Sequence, residues 1–225
     1  LFTEFFGNDV SASSTLDVRG STFLGVLDNN SLINAGVFSD RSYFANFFNN
    51  SLVDGTCFQS DVNSNIFEFK YNKCNNESLF ELEGCDSGTI TFQDNSLHNF
   101  SRVILGTSNI FDKFTYNSLS DWSILTDNGD GEIQYLKIQN NTFISKSTVT
   151  LKNIITNSSA TSNFEYNTCD SGDITIANVD SNRFAFKENK VINGKIDISG
   201  AKGVEIPITI VSSNMIQGNG DRTAN

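Results

Sequence analysis

An asparagine recurs along this chain at intervals of 20 to 26 residues: Asn8, Asn30, Asn50, Asn72, Asn95, Asn117, Asn141, Asn167, Asn189 and Asn214. Three residues before each stands an apolar side chain: Phe5, Leu27, Phe47, Phe69, Phe92, Phe114, Ile138, Phe164, Phe186 and Val211. Two residues after each stands another: Val10, Leu32, Leu52, Cys74, Leu97, Leu119, Phe143, Cys169, Val191 and Ile216. Every flanking position is apolar in a chain that is only 38% hydrophobic, so the pattern is an internal repeat and not an effect of composition.

The period matches one winding of a β-solenoid, in which short strands joined by turns stack coil upon coil. Known helical repeats are longer, and a leucine-rich consensus is missing. Runs such as "GTITF", "FEFKYN" and "GKIDI" favour strands. The expected fold is therefore all-β: a right-handed parallel β-helix of about ten coils, ~22–23 residues per coil, with an Asn ladder and a stacked Phe/Leu core. At strand spacing it would be on the order of 48 Å long. Residues 1–217 are read as one β-helix domain, a fragment of a longer chain, and 218–225 ("GNGDRTAN") as a polar tail or linker.

Strand side chains alternate, so Phe, Asn and Leu of "FxxNxL" cannot all face inward on one flat strand. The chain must bend between the Phe and the Asn, and the Asn, which tolerates left-handed backbone, is expected at that corner. The residue before each Asn is mostly polar and is expected to face water. Stacked asparagines can bond amide to carbonyl from coil to coil.

The FxxN units Phe5–Asn8, Phe47–Asn50, Phe69–Asn72, Phe92–Asn95, Phe114–Asn117, Phe164–Asn167 and Phe186–Asn189 resemble repeats of polymorphic outer-membrane-protein passengers. More broadly, they resemble pectate-lyase-type right-handed β-helix proteins. The resemblance spans nearly the whole chain but reports stacking, not chemistry, and the companion "GGA" motif of the first group is missing.

A net charge of −11, from 26 acidic against 15 basic residues, argues against nucleic acid as a partner. No apolar run approaches membrane-spanning length, so no membrane insertion is expected within this segment. An exterior rich in Asn, Ser and Thr suits an extracellular or cell-surface location. Cys74 and Cys169 share an inward phase four coils, or about 19 Å, apart, so they read as buried hydrophobes and not as a bridge. A disulfide between Cys57 and Cys85 is the remaining candidate.

Enzymes built on β-helices place carboxylates of neighbouring coils on one face. Asp17, Asp40, Asp61 and Glu83 lie nine to eleven residues after successive asparagines, and Asp127 falls in the same range later. Such a column would serve a polysaccharide lyase or hydrolase, tailspike-like in kind, or hold Ca²⁺; an exposed polar turn explains it as well. Asp86, Asp170 and Asp173, in and after the duplicated "CDSG", are secondary carboxylate candidates, although the motif reads better as a tight turn. "TDNGDGEI" (126–133) resembles part of a calcium loop but lacks its strongest ligands. No metal site is assigned.

Sequons at Asn29, Asn49, Asn76, Asn99, Asn140 and Asn157 are candidate N-glycosylation sites. Tyr71, Tyr116 and Tyr166 precede ladder asparagines and form a candidate sugar-stacking stripe, with Trp122 the sole tryptophan. The leading expectation is a non-enzymatic structural or adhesive solenoid, a segment of a surface fibre, adhesin or filament. Its expected partners are further copies of itself or cell-surface glycans. A carbohydrate-active enzyme or a carbohydrate-binding module is the alternative.

Overall fold

In a computed structural model, the chain is described except at residues 1, 12, 18–23, 40–42, 61–64, 83–88, 107–109, 128–134, 153, 157–161, 178–179, 182, 200–207, 213–214, 218–221 and 225. It is a parallel β-solenoid. Each winding contributes one strand to each of three walls, and every wall is a ten-stranded sheet in which a strand pairs with its counterparts in the adjacent windings. The first-wall strands Asn65–Lys70, Thr89–Gln93 and Ile110–Thr115 end in the inward Phe and its outward neighbour. The second wall is made of short strands such as Lys73–Cys74, Ser96–Leu97 and Ser118–Leu119. The third holds Leu79–Leu82, Arg102–Leu105 and Ile124–Asp127. A minor two-stranded pairing joins Ile155–Thr156 to Asp180–Ser181.

Register brings like residues together. Phe47, Phe69, Phe92 and Phe114 are successive partners on the first wall, and Leu52, Cys74, Leu97 and Leu119 on the second. On the third wall Phe58, Phe80, Val103 and Leu125 align. These three columns meet in one continuous core. Phe47, Phe58, Phe69, Phe80, Phe92 and Phe114 are fully buried. Phe92 and Phe114 stack at 5.1 Å with 5° between ring planes, whereas Phe58 meets Phe69 edge-on at 5.1 Å and 81°. Each such ring stabilises the fold by roughly 1.5–3 kcal/mol through burial.

The expectation of about ten equivalent coils is corrected. The regular solenoid, sealed on all three walls, covers about six turns, Asn30 through Asn50, Asn72, Asn95, Asn117 and Asn141 to Asn167. Before it, Phe5, Val10 and Leu16 are only partly buried, and after it Ile196 and Ile198 are also only partly buried. Phe5, Val10 and Leu16 belong to the first winding and have a partner on one side only, whereas Ile196 and Ile198 are followed by Arg222 and Ala224. The segment read as a polar tail contributes the strand Arg222–Ala224, which pairs with Ile196–Ser199. Its polar composition does not hinder pairing, because parallel pairing joins backbone groups.

The corner between the first and second walls also differs from expectation. The left-handed residue is not the ladder Asn but the one before it: Asn29, Asn49, Tyr71, Asp94, Tyr116, Asn140, Tyr166 and Glu188 all have φ between 52° and 60°. That single reversal turns the following Asn inward, which resolves the parity conflict in the motif. The preceding residue is exposed at most coils, with Asp94 partly covered.

Inside the corner the asparagines bond in series. The Oδ1 of Asn95 accepts from the backbone N–H and from the Nδ2 of Asn72, both at 2.9 Å. The Nδ2 of Asn95 donates back to the Phe69 carbonyl at 3.0 Å and forward to the Asn117 Oδ1 at 3.1 Å. The same set recurs at Asn50, Asn72, Asn117 and Asn141. Each buried amide thus has both its donors and its acceptor engaged, as burial requires.

Candidate functional site

Of the carboxylate column, only Asp17 and Asp127 lie among the described residues, and these two do not share a column. Asp17 aligns through the third wall with Phe38, Gln59, Glu81, Ile104 and Thr126, one residue away from the Asp127 column. Asp127 instead continues the inward positions of Leu82 and Leu105 and is buried, with its carboxylate accepting from the Lys152 backbone N–H. Asp17 and Asp127 also stand five coils, or about 24 Å, apart. Counting from the Asn pooled offsets of nine to eleven, and in a strand a one-residue difference reverses the face. Asp40, Asp61, Glu83 and Asp86 lie outside the described residues, as do Asn157, Asn214, Cys85 and the loop 128–134.

Asp170 accepts from the Ser171 hydroxyl at 3.0 Å, and Asp173 from the Lys195 backbone N–H at 3.0 Å, so both serve turns. Among the described residues no three His, Cys, Asp or Glu side chains gather as a metal site. Cys57 is a half-buried free thiol pushed up to about 11, first by burial and then by the Glu81 charge. Burial also holds the Cys74 thiol well above its ordinary range and raises Cys169 to about 11.

Tyr71, Tyr116 and Tyr166 are exposed on the first corner, each two coils from the next. Asp94 and Asn140 stand between them, which is the two-coil spacing expected from the sequence. Of the sequon asparagines, Asn29, Asn49 and Asn140 occupy this corner in left-handed, exposed positions, and Asn76 and Asn99 occupy the second corner likewise.

The second corner holds most of what sequence reading missed. In five successive coils it contains two consecutive left-handed residues: Asp54–Gly55, Asn76–Glu77, Asn99–Phe100, Asp121–Trp122 and Ser145–Lys146. A buried hydroxyl closes each turn. Ser78 donates to the Asn75 carbonyl at 2.7 Å, Ser101 to His98 at 2.6 Å, Ser123 to Ser120 at 2.6 Å and Ser147 to Ile144 at 2.7 Å. Thr56 plays the same part toward Val53 at 2.6 Å. These hydroxyls all lie six residues after a ladder Asn, a visible signal once the second corner is known. Backbone pairs such as Glu77 N–H to the Asn99 carbonyl (2.9 Å) and Phe100 N–H to Asp121 (3.0 Å) stack the turns themselves.

Five residues after each Asn, the outward side chains form a further column of Gly55, Glu77, Phe100, Trp122 and Lys146. Phe100 and Trp122 are exposed yet stacked, with centroids 6.3 Å apart and 13° between planes. The Lys146 ammonium caps the Trp122 ring at 4.4 Å. On the other side, Phe100 joins Asp54, Gly55, Asn76, Glu77 and Asn99 around an open cleft of about 520 Å³.

The single histidine is wired just behind this corner. Ser120 donates to the Asp121 carboxylate at 2.9 Å, and its oxygen lies 2.5 Å from His98 Nδ1. The Nε2 of the same ring lies 2.6 Å from the Ser96 hydroxyl. The chain of groups resembles that of a hydrolase in order. However, the N–H groups of Ser96, His98 and Ser120 all pair with the preceding coil and offer no oxyanion donor. Compared with protein-family models, curated proteins and solved structures, the chain matches none.

Proposed function

We propose that this chain is a non-catalytic structural solenoid: a segment of an extracellular or cell-surface fibre, adhesin or filament that displays side chains in columns. The observation that carries this reading is the series of Asn bonds, which dedicates the most regular feature of the sequence to rigidity. The likeness to polymorphic outer-membrane passengers and pectate-lyase-type proteins is carried by the FxxN motif and the solenoid form alone. Among the described residues no helix is long and apolar enough to cross a membrane.

The exposed corner asparagines Asn29, Asn49 and Asn140 are the sequons best placed to carry glycans, and mass spectrometry of native material is expected to find them modified. Incubation with a panel of acidic and neutral polysaccharides, followed by a reducing-end assay, is expected to release nothing. Reducing ends that grow in proportion to protein concentration would replace this reading with the enzymatic one.

A further inference from the structure

We propose that the cleft before Phe100 is a saccharide-binding site for neutral or amine-bearing sugar rings. The inference rests on the non-catalytic reading: the sugar is held and not cut.

Three observations converge on it. The first is the aromatic wall. One face of Phe100 lies toward Trp122, one coil on, and the cleft residues lie one and two coils back, so the opposite face borders the cleft. Exposed Phe100 is held in a left-handed turn whose N–H pairs with Asp121, and Trp122 backs it, so the ring is fixed before any ligand arrives. An apolar plane of this kind suits the C–H face of a pyranose.

The second is the pattern of polar groups. The Nδ2 of Asn76 donates to the Asp54 carboxylate at 2.8 Å, and the Nδ2 of Asn99 donates to the Asn75 Oδ1 at 2.7 Å and the Asn76 Oδ1 at 3.4 Å. The cleft lining is accordingly rich in acceptors, the Asp54 and Glu77 carboxylates and the side-chain oxygen of Asn99. Glu77 has no ion pair or side-chain hydrogen bond among the described residues. Acceptors in this density suit hydroxyl and ammonium donors, and two carboxylates disfavour uronates and other acidic sugars.

The third is the space itself. Gly55 occupies the column position where later coils carry Glu77, Phe100, Trp122 and Lys146, and a Cβ there would meet nothing within 4 Å. The missing side chain leaves the cleft open at that end. On the far end of the same column Lys146 already lies over Trp122, the arrangement that an amine-bearing sugar would repeat on the free face of Phe100.

Asn76 and Asn99 are sequons, so the test uses protein made without glycosylation. Chitosan tetramer, cellotetraose and tetragalacturonate serve as probes in calorimetric titration and saturation-transfer NMR. Phe100→Asn removes the ring while keeping a residue that tolerates the left-handed turn, Glu77→Gln removes charge alone, and Tyr116→Asn is the control at the other corner. The expected result is binding of chitosan tetramer and cellotetraose, weakened about ten-fold or more by Phe100→Asn and unchanged by Tyr116→Asn. Glu77→Gln should weaken the amine-bearing probe about three-fold or more and cellotetraose less. Absence of binding by both probes, equal binding by the Phe100 variant, or preference for tetragalacturonate would each overturn the site. Recovery of the probe at its original length, checked by mass spectrometry, separates failure of the site from failure of the non-catalytic reading.

Discussion

At the scale of single residues, two kinds of side chain carry the corners. The ladder asparagine is irreplaceable because its amide both donates and accepts with the coils on either side. Asn95→Ala would remove the acceptor of the Asn72 backbone N–H and of one Asn72 side-chain N–H, and the donor to the Phe69 carbonyl, all in the interior. Urea denaturation should show a loss of about 3 kcal/mol or more, whereas Asn99→Ala, an exposed change four residues on, should cost far less. The residue before the ladder Asn carries the opposite demand, a backbone that most side chains dislike. Tyr116 holds φ 58° there, where other coils use Asn29, Asn49 and Asn140. Tyr116→Asn is thus expected to raise stability by about 0.5–1 kcal/mol in the same experiment.

At the scale of elements, the second corner shows how a turn can be built in two ways on one frame. From Thr56 to Ser147 a buried hydroxyl closes a turn with two left-handed residues, whereas at Ser171 and Asn193 one left-handed residue is followed by glycine. A Cβ on Gly172 would lie 2.0 Å from the Ser147 carbonyl oxygen, and one on Gly194 the same distance from that of Gly172. Gly172→Ala should cost about 2 kcal/mol or more, read as a lower thermal midpoint, because the obstacle is backbone and cannot rotate away. The first and second walls were legible in the sequence because their inward residues keep constant offsets from the Asn. The third wall was not, since Phe38 aligns with Gln59 although one lies eight and the other nine residues past its ladder Asn. Asp17 and Asp127 were merged for a different reason: they lie nine and ten residues past their ladder asparagines, and that one-residue difference puts them on opposite faces. The cleft was illegible for a related reason: Phe100 and Trp122 share an offset from the Asn, but only the paired left-handed turn shows that this offset points outward.

At the scale of the whole molecule, the buried thiols report on whether the core is sealed. Burial raises Cys57 and Cys169 to about 11 from the ordinary 9.0. The unfolded chain loses those protons from about pH 9 and the folded chain holds them until about pH 11. Stability is therefore intact below pH 9 and declines as pH rises through 11. Cys74, deep in the second-wall column, should resist alkylation at pH 8 until denaturant is added, as followed by mass spectrometry. The whole rod stands on windings that lie in register, joined through asparagine side chains. Hydrogen-bond scalar couplings measured by NMR on deuterated protein test this most directly. They should connect the amide N–H of Asn50 to the side-chain carbonyl of Asn72, and likewise Asn72 to Asn95 and Asn95 to Asn117. Missing couplings, together with amide protons at these positions that exchange with solvent within minutes, would contradict it.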